Sequence, residues 1–312
     1  MKTAEAKIRP IFGGHEKFVF RHGWLKKGVD AILKSGGLVF AQDQALIELG
    51  VGKNMVRSIR HWCLATGVAR EIEFGGGNAR PLAPTRLGEK LLGEGGWDPY
   101  LEDIGSLWLL HWQLVTNLER GYLWHLLFSV YIEPEFTRSN MLKFLTSQLN
   151  LHGIRTTEGA VERELEICLR TYFPAKTKLG AISEETLDCP LAELDIVRLA
   201  TDDNVYRFNI GPKVSLPVGV FGYGLLMFLE QAAQNRRTVG IDELIYTHGS
   251  PGQVSKLDEN TVIAYVEAFE KISAGKIRLQ ESAGLMQVYL DEKITDFAAE
   301  AMNALREHYE QH

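Results

Sequence analysis

Glycine residues divide the first ninety residues into short helical segments, and this punctuation restricts the possible folds more than any other feature of the sequence. Residues 29–39 have the pattern of a helix that a glycine pair closes, and residues 42–49 predict a second helix that ends at Gly50. A third helix is predicted after Gly52, because apolar residues recur at helical spacing in KNMVRSIRHWCLATGV. The order is therefore helix, short glycine turn, helix.

A hairpin pattern follows these helices. REIEF (Arg70–Phe74) and RPLAPT (Arg80–Thr85) are strand-like, and the glycine-rich turn GGGN lies between them. A helix-turn-helix followed by a hairpin is the element order of a winged helix. We therefore expect a winged helix-turn-helix domain at residues 1–93.

The remainder of the chain predicts a helical connector and two further units of this kind. The glycine-rich stretch GEGG separates the first domain from a mostly helical segment at residues 94–156. Residues 157–225 and 226–312 each contain a helical pattern that runs into a hairpin pattern. The predicted fold class is α+β, mainly helical, with winged-helix-like units at both ends joined by the helical connector.

Charge is distributed unevenly along the chain. Residues 1–92 hold 15 Lys and Arg against 8 Asp and Glu, whereas the remaining residues hold 19 against 32. A basic segment of this kind predicts a polyanionic partner, because Lys and Arg neutralise the phosphates of nucleic acid. Contact with the acidic remainder of the same chain is the alternative explanation. The acidic remainder is suited to protein partners.

The third predicted helix carries polar and cationic residues on the face opposite its apolar residues. Spacings of three and four bring them together, as in a helix that reads bases and contacts phosphates. A solvated polar face is the alternative, and glycine-asparagine turns are common at hairpin tips. The residues expected to contact DNA are Lys53, Asn54, Arg57 and Arg60 on this helix, Lys26 and Lys27 before it, and Asn78 and Arg80 on the hairpin.

The densest group of carboxylates is DPYLED, which contains Asp98, Glu102 and Asp103. A helix with Pro99 in its first turn would place Asp98 and Glu102 on one face, four residues apart. Two such carboxylates are suitable ligands for Mg²⁺ or Mn²⁺, which activates water in phosphodiester cleavage. The alternative is that Asp98 caps the helix while the other two favour its positive end.

A second cluster with possible catalytic chemistry is His15 and Glu16 in GGHEKFVFRHGW. The two side chains could serve as acid, base or ligand. In an extended segment neighbouring residues point to opposite faces, so a bend at the preceding glycines is required. The alternatives are an N-terminal strand that packs its aromatic residues against the winged helix, and contact of this segment with nucleic acid.

Several other classes of protein are excluded or disfavoured. The three cysteines are widely separated and odd in number, which argues against a disulfide framework and a CxxC metal site. LGVGKN lacks the spacing and the Ser or Thr of a phosphate-binding loop. No apolar run reaches the roughly 18 residues of a membrane span, and no secretory signal is recognisable, so a cytoplasmic location is expected.

Five longer strings carry a resemblance to a known family. They are GGHEKFVFRHGWLKKG, LGVGKNMVRSIRHW, WDPYLEDIGSLWLLHW, EETLDCPLAEL and GSPGQVSKLDEN, spread over residues 13–260. They resemble a bacterial family catalogued as a domain of unknown function, whose genes accompany a cysteine desulfurase and a reductase-like sulfur-transfer protein. The resemblance implies a component of the single-stranded type of DNA phosphorothioation and phage-defence system.

Within that system the resemblance is to the DNA-nicking component, which acts before sulfur replaces a phosphate oxygen. It also implies DNA and the sulfur-transfer proteins of the same operon as partners. It assigns no catalytic residue. From the residues alone, a non-catalytic DNA-binding scaffold or a transcriptional regulator is favoured, because no nuclease motif is evident. The resemblance favours a nickase instead.

Overall fold

A computed structural model describes most of the chain. The described residues form thirteen α-helices and eight β-strands, so the fold is α+β and mainly helical, as predicted. The described ranges are 9–41, 45–73, 80–173, 189–200, 204–234, 236–282 and 284–311.

The helices in chain order are α1 (Trp24–Ser35), α2 (Ala45–Leu49), α3 (Lys53–Ala65), α4 (Arg86–Leu92), α5 (Ile104–Thr116), α6 (Tyr122–His125), α7 (Arg138–Leu151), α8 (Glu158–Tyr172), α9 (Val218–Ala232), α10 (Ile241–Tyr246), α11 (Pro251–Ser255), α12 (Glu259–Ile272) and α13 (Phe297–Glu310). The strands are β1 (Ala69–Glu71), β2 (Leu82–Pro84), β3 (Glu135–Thr137), β4 (Val197–Leu199), β5 (Val205–Phe208), β6 (Thr238–Gly240), β7 (Ile277–Ser282) and β8 (Leu285–Leu290).

The chain divides into two compact units, each assembled from separate segments. The four domains predicted from the sequence are a separate hypothesis, and their boundaries stay a prediction. The first unit comprises residues 1–101, 113–127 and 136–192, and the second comprises residues 102–112, 128–135 and 193–312.

In the first unit the glycine signals end and start helices as predicted. Gly36 adopts φ 63° after α1, and its N–H donates to the Ile32 carbonyl. Gly52 precedes α3, which buries Ile59 and Trp62 completely. The element order α1, α2, α3, β1, β2 agrees with the predicted one, while the winged-helix assignment itself stays a prediction.

The hairpin of the first unit is shorter than the sequence predicted. β1 and β2 pair antiparallel from Ala69 opposite Pro84 to Glu71 opposite Leu82. The predicted tip, including the expected DNA contact Asn78, lies outside the described residues. Arg80 is exposed at the start of the second half of the hairpin.

The second unit is built around helices α9 and α13 and two small sheets. β4 and β5 form an antiparallel pair, and the other sheet has the order β6-β8-β7. Asp258 caps α12, accepting a hydrogen bond of 2.8 Å from the Thr261 N–H. Ser250 is the N-cap of the short helix α11.

The start of α5 differs from the prediction. A helix was expected from Pro99, but α5 begins at Ile104, and Leu101 has a left-handed backbone with φ 57°. The Oδ1 atom of Asp103 accepts a 2.7 Å hydrogen bond from the Gly105 N–H, so Asp103 rather than Asp98 stabilises this helix start. The helical spacing that was expected to place Asp98 and Glu102 on one face is therefore absent.

All three cysteines are buried and none forms a disulfide. Burial raises the pKa of the Cys63 thiol to about 12. The pKa of Cys168 is also raised, first by burial and then by the nearby charge of Glu164. Because the thiolate is the reactive form of cysteine, these two thiols are chemically inert in the folded chain.

Candidate functional site

A cleft of about 420 Å³ lies in the first unit, between the N-terminal loop, the first turn of α3 and helix α8. Its walls carry acidic, basic and imidazole groups, which are side chains that can serve in acid–base chemistry. The lining residues are Phe12, Gly13, His15, Glu16, Lys17, Asn54, Ala160, Arg163 and Glu164.

The N-terminal loop is a tight turn rather than the extended strand considered above. Glu16 and Lys17 both have left-handed backbones, with φ 49° and 67°, and Gly13 has φ 75°. The Glu16 N–H donates to the Gly13 carbonyl at 3.0 Å, and the Phe18 N–H donates to the His15 carbonyl at 2.8 Å. This bend allows His15 and Glu16, although adjacent in sequence, to line the same cleft.

His15 and Glu164 form a buried pair, with side chains only 2% and 5% exposed. Nε2 of His15 lies 3.1 Å from Oε1 of Glu164, a separation that fits an ion pair although the ring is not aligned for a hydrogen bond. Nδ1 accepts a 3.0 Å hydrogen bond from the Lys17 N–H, so the proton of a neutral ring lies on Nε2. The Gly13 N–H also donates to Oε1 of Glu164.

A second histidine lies behind this loop. The rings of His61 and His15 are nearly perpendicular, with centroids 5.9 Å apart. The pKa of His61 is well below its usual value, first because of burial and then because of the charges on His15, Arg120 and Arg60. A Cβ atom at Gly14 would lie 2.4 Å from Nδ1 of His61, so only glycine fits at this position of the loop.

The structure brings two separate sequence predictions together at this cleft. Lys53, Asn54 and Arg57, which the sequence predicts to contact DNA, are exposed at the start of α3. Asn54 lines the cleft, and Nη1 of Arg57 lies 3.3 Å from Oε1 of Glu16. The predicted DNA-contact helix and the predicted His15–Glu16 cluster are therefore neighbours.

The carboxylate of Glu71 pairs with three arginines. Arg60 and Arg80 were predicted to contact DNA, whereas Arg120 was not predicted. Arg60 and Arg120 approach Oε1 at 2.9 and 3.0 Å, and Arg80 approaches Oε2 at 3.2 Å. Burial alone would raise the pKa of Glu71, but hydrogen bonds from Arg60 and Arg80 and the surrounding positive charges lower it below its usual value.

The two lysines predicted to contact DNA, Lys26 and Lys27, lie on α1 and have different surroundings. Lys26 is paired with Asp30 one turn later, at 2.5 Å. Lys27 is exposed and lines a second cleft of about 430 Å³ with Lys34 and residues of α2. Lys27 is therefore the more accessible of the two for a phosphate contact.

The Mg²⁺ or Mn²⁺ site predicted at the acidic triad stays a prediction. Asp98 is 8% exposed in the first unit, whereas Glu102 and Asp103 belong to the second unit. Oδ2 of Asp103 lies 2.8 Å from Nε2 of His308, and Oδ1 caps α5, so both oxygens are already engaged. Nowhere in the described ranges do three His, Cys, Asp or Glu side chains converge closely enough to hold a metal ion.

Sequence comparison places the chain in a family. A family model described as a protein of unknown function (DUF4007) matches residues 12–309. The chain belongs to the DUF4007 family. No match was found among curated proteins.

Two solved structures resemble the DUF4007 chain over nearly its whole length. The magnesium ion-bound SspB crystal structure has a TM-score of 0.85 and 29% sequence identity, covering 96% of this chain and 88% of that one. A second SspB crystal structure has a TM-score of 0.84 with the same identity and coverage. In the described ranges of the DUF4007 chain, no helix is both long and apolar enough to cross a membrane.

Glu164 is the member of the site that sequence reasoning missed. On α8 it lies among the buried residues Val161, Leu165 and Cys168, at the spacing of one helical face. A carboxylate on the apolar face of an amphipathic helix is rarely buried without a partner. That irregularity in the hydrophobic pattern of the DUF4007 chain was the signal that could have revealed it.

Proposed function

We propose that this DUF4007 chain is the DNA-binding component of a bacterial DNA phosphorothioation system and cuts one DNA strand before sulfur is incorporated. The observation that carries the proposal is the cleft in which His15, Glu16 and Glu164 lie beside the exposed start of α3. The family resemblance of the sequence and the likeness to SspB support the assignment to this system.

DNA binding is assigned to the first unit. Lys53, Asn54 and Arg57 form an exposed polar row at the start of α3, and Lys27 is exposed on α1. Side chains of this type bind backbone phosphates and base edges. The acidic remainder of the chain supports contacts with proteins, and we assign sulfur-transfer enzymes of the same operon to it as partners.

Strand cleavage requires that a water oxygen bonds to phosphorus while the bond from phosphorus to a sugar oxygen breaks. A carboxylate that accepts the proton of the attacking water accelerates this step. We assign this role to Glu164, whose Oε1 is held by Gly13 and His15, while none of the described residues donates a hydrogen bond to its Oε2. The departing sugar oxygen takes its proton from solvent.

The other residues of the cleft have supporting roles. His15 positions the Glu164 carboxylate through the close contact at Nε2. Lys17 and Arg163 line the same cleft and offset the negative charge of a phosphodiester. No step is assigned to a metal ion.

A supercoiled-plasmid assay tests the proposal. Purified chain is incubated with plasmid in EDTA, Mg²⁺ or Mn²⁺, and open-circle product is measured. We expect Glu164→Gln to lower the nicking rate by roughly 10²- to 10⁴-fold, the usual contribution of a general base. Glu300→Gln, which alters a carboxylate paired with Lys276 in the second unit, serves as the matched control and keeps the wild-type rate.

The acidic triad provides the competing outcome. Asp98→Asn, Glu102→Gln and Asp103→Asn are expected to nick at the wild-type rate once their fold is verified by circular dichroism. Loss of nicking in these variants, with activity retained in Glu164→Gln, would contradict the assignment of strand cleavage to the cleft. Binding without any plasmid relaxation would favour the non-catalytic scaffold or regulator.

A further inference from the structure

We propose that Arg60, Arg80 and Arg120, gathered around Glu71, form a binding site for one backbone phosphate of DNA. The inference rests on the proposed DNA-binding function and deepens it. It adds Arg120 and Glu71, which the sequence did not suggest, and it gives Arg60 and Arg80 a shared ligand.

The three guanidinium groups converge from separate parts of the first unit. Arg60 lies on α3, Arg80 lies just before β2, and Arg120 lies just before α6. Their exposure increases outward, since the side chain of Arg120 is 9% exposed, that of Arg60 25% and that of Arg80 75%. The cluster is therefore open to solvent on the Arg80 side, where a DNA strand can approach.

The positive charge of the cluster exceeds what its carboxylates neutralise. Three guanidinium groups face Glu71, and the only other carboxylate paired with them among the described residues is exposed Glu119, 3.5 Å from Arg120. One positive charge is left over. Each guanidinium has five N–H donors, and only one donor from each arginine is used on Glu71. An anion with several acceptor oxygens would satisfy both the charge and the free donors.

A phosphodiester fits this requirement better than a neutral ligand does. Arginine presents paired donors that match the oxygens of a phosphate, and it is the side chain most used for such recognition. Burial lowers the pKa of Arg120 below its usual value, with Glu119 and Glu71 opposing that effect, so its charge is incompletely solvated. Interaction of this charge with an anion is stronger than it would be in bulk water.

The competing explanation is that the cluster only fastens the hairpin to α3. Exposed ion pairs contribute little to stability, and one arginine would be sufficient to neutralise Glu71. Removing Arg80 would then change thermal stability slightly and leave DNA binding unaffected. The two explanations thus differ in the salt dependence of DNA binding.

The test measures binding of the full chain to a short labelled DNA duplex in EDTA over a series of salt concentrations. We expect Arg80→Gln and Arg120→Gln each to weaken binding severalfold, and the double variant to lower the slope of log affinity against log salt by about one. Because both arginines hold the same phosphate, their effects are expected not to be additive.

Arg198→Gln is the matched control, since Arg198 is 60% exposed and paired with Asp195 in the second unit. It is expected to bind DNA as the wild type does. If Arg120→Gln melts at a lower temperature than the control, only the Arg80→Gln result is used, because the side chain of Arg80 is mostly exposed. An unchanged slope in a folded Arg80→Gln variant overturns the phosphate site while leaving DNA binding intact. If the wild-type chain binds no DNA, the proposed function fails as well.

Discussion

Lys256 shows how one buried cation sets a pH dependence for the second unit. The residue is 6% exposed; its Nζ donates to the Tyr131 carbonyl at 3.3 Å and lies 4.3 Å from the centroid of the Phe208 ring. Burial lowers the pKa of Lys256 from 10.5 to about 7. In the unfolded chain the amine has its ordinary pKa, so the unfolded state binds more protons between these two values.

The sign of the effect follows from that difference. Stability rises as the pH increases from about 7 to 10.5 and is lost as the pH falls toward 7. We expect Lys256→Met to remove this dependence on pH. Between pH 7 and 10.5 the free energy of unfolding of the variant should therefore rise less than that of the wild type. The difference is on the order of 4 kcal/mol at most. Urea unfolding at pH 7 and pH 10 measures it.

Lys293→Met is the control for this measurement, because Lys293 is exposed in the same unit. It should follow the pH dependence of the wild type. Parallel curves for Lys256→Met and wild type would show that the buried amine does not titrate in this range.

Helix α9 depends on glycine for its close packing. A Cβ atom at Gly222 would lie 2.0 Å from the ring of Phe269, which is itself 1% exposed and therefore cannot move aside easily. Replacement of glycine by alanine in a helix favours folding by about 1 kcal/mol through backbone entropy. Overpacking of a core costs about 1–3 kcal/mol, so the steric effect is expected to dominate.

We therefore expect Gly222→Ala to lower the melting temperature. Gly159→Ala is the matched comparison on α8, where the added Cβ would meet only Nη1 of Arg163, at 3.6 Å. That variant should melt at or above the wild-type temperature. Calorimetry on both variants checks the prediction, and equal stabilisation of the two would contradict it.

The elements that the sequence predicted correctly are those with local signals. Gly36 and Gly52 limit α1 and α3, because each acts through backbone groups within a few residues. The start of α5 was wrong because Pro99 and Asp98 imitate a helix start, while the left-handed turn at Leu101 delays it. Local signals cannot reveal which of two possible caps is used.

The candidate site was only half predictable for a related reason. His15, Glu16, Asn54 and Arg57 were each recognisable from residue type and spacing. Their proximity depends on Glu164, which approaches the N-terminal loop across 151 positions of sequence. No local pattern specifies such a partner, and only the misplaced charge on the apolar face of α8 indicated that one was needed.

At the scale of the whole molecule, the first unit is assembled from separate segments of the chain. We therefore expect that its first hundred residues do not fold on their own. Trp62 packs against Trp124 with ring centroids 5.8 Å apart, and Glu71 binds Arg120. A fragment of residues 1–93 would lack both partners and also Glu164. We expect this fragment to show little cooperative unfolding by circular dichroism, whereas residues 1–312 unfold cooperatively. A cooperative transition in the fragment would instead support the predicted domain boundary.

The buried thiols have a practical consequence for spectroscopy. Since Cys63 and Cys168 are inert and Cys189 is also buried, the native chain should remain largely unlabelled by a brief maleimide treatment. A single cysteine introduced at an exposed position such as Lys143 would then carry a fluorophore or spin label without any background mutation. Distances from that label to labelled DNA would locate the duplex on the protein without a crystal of the complex.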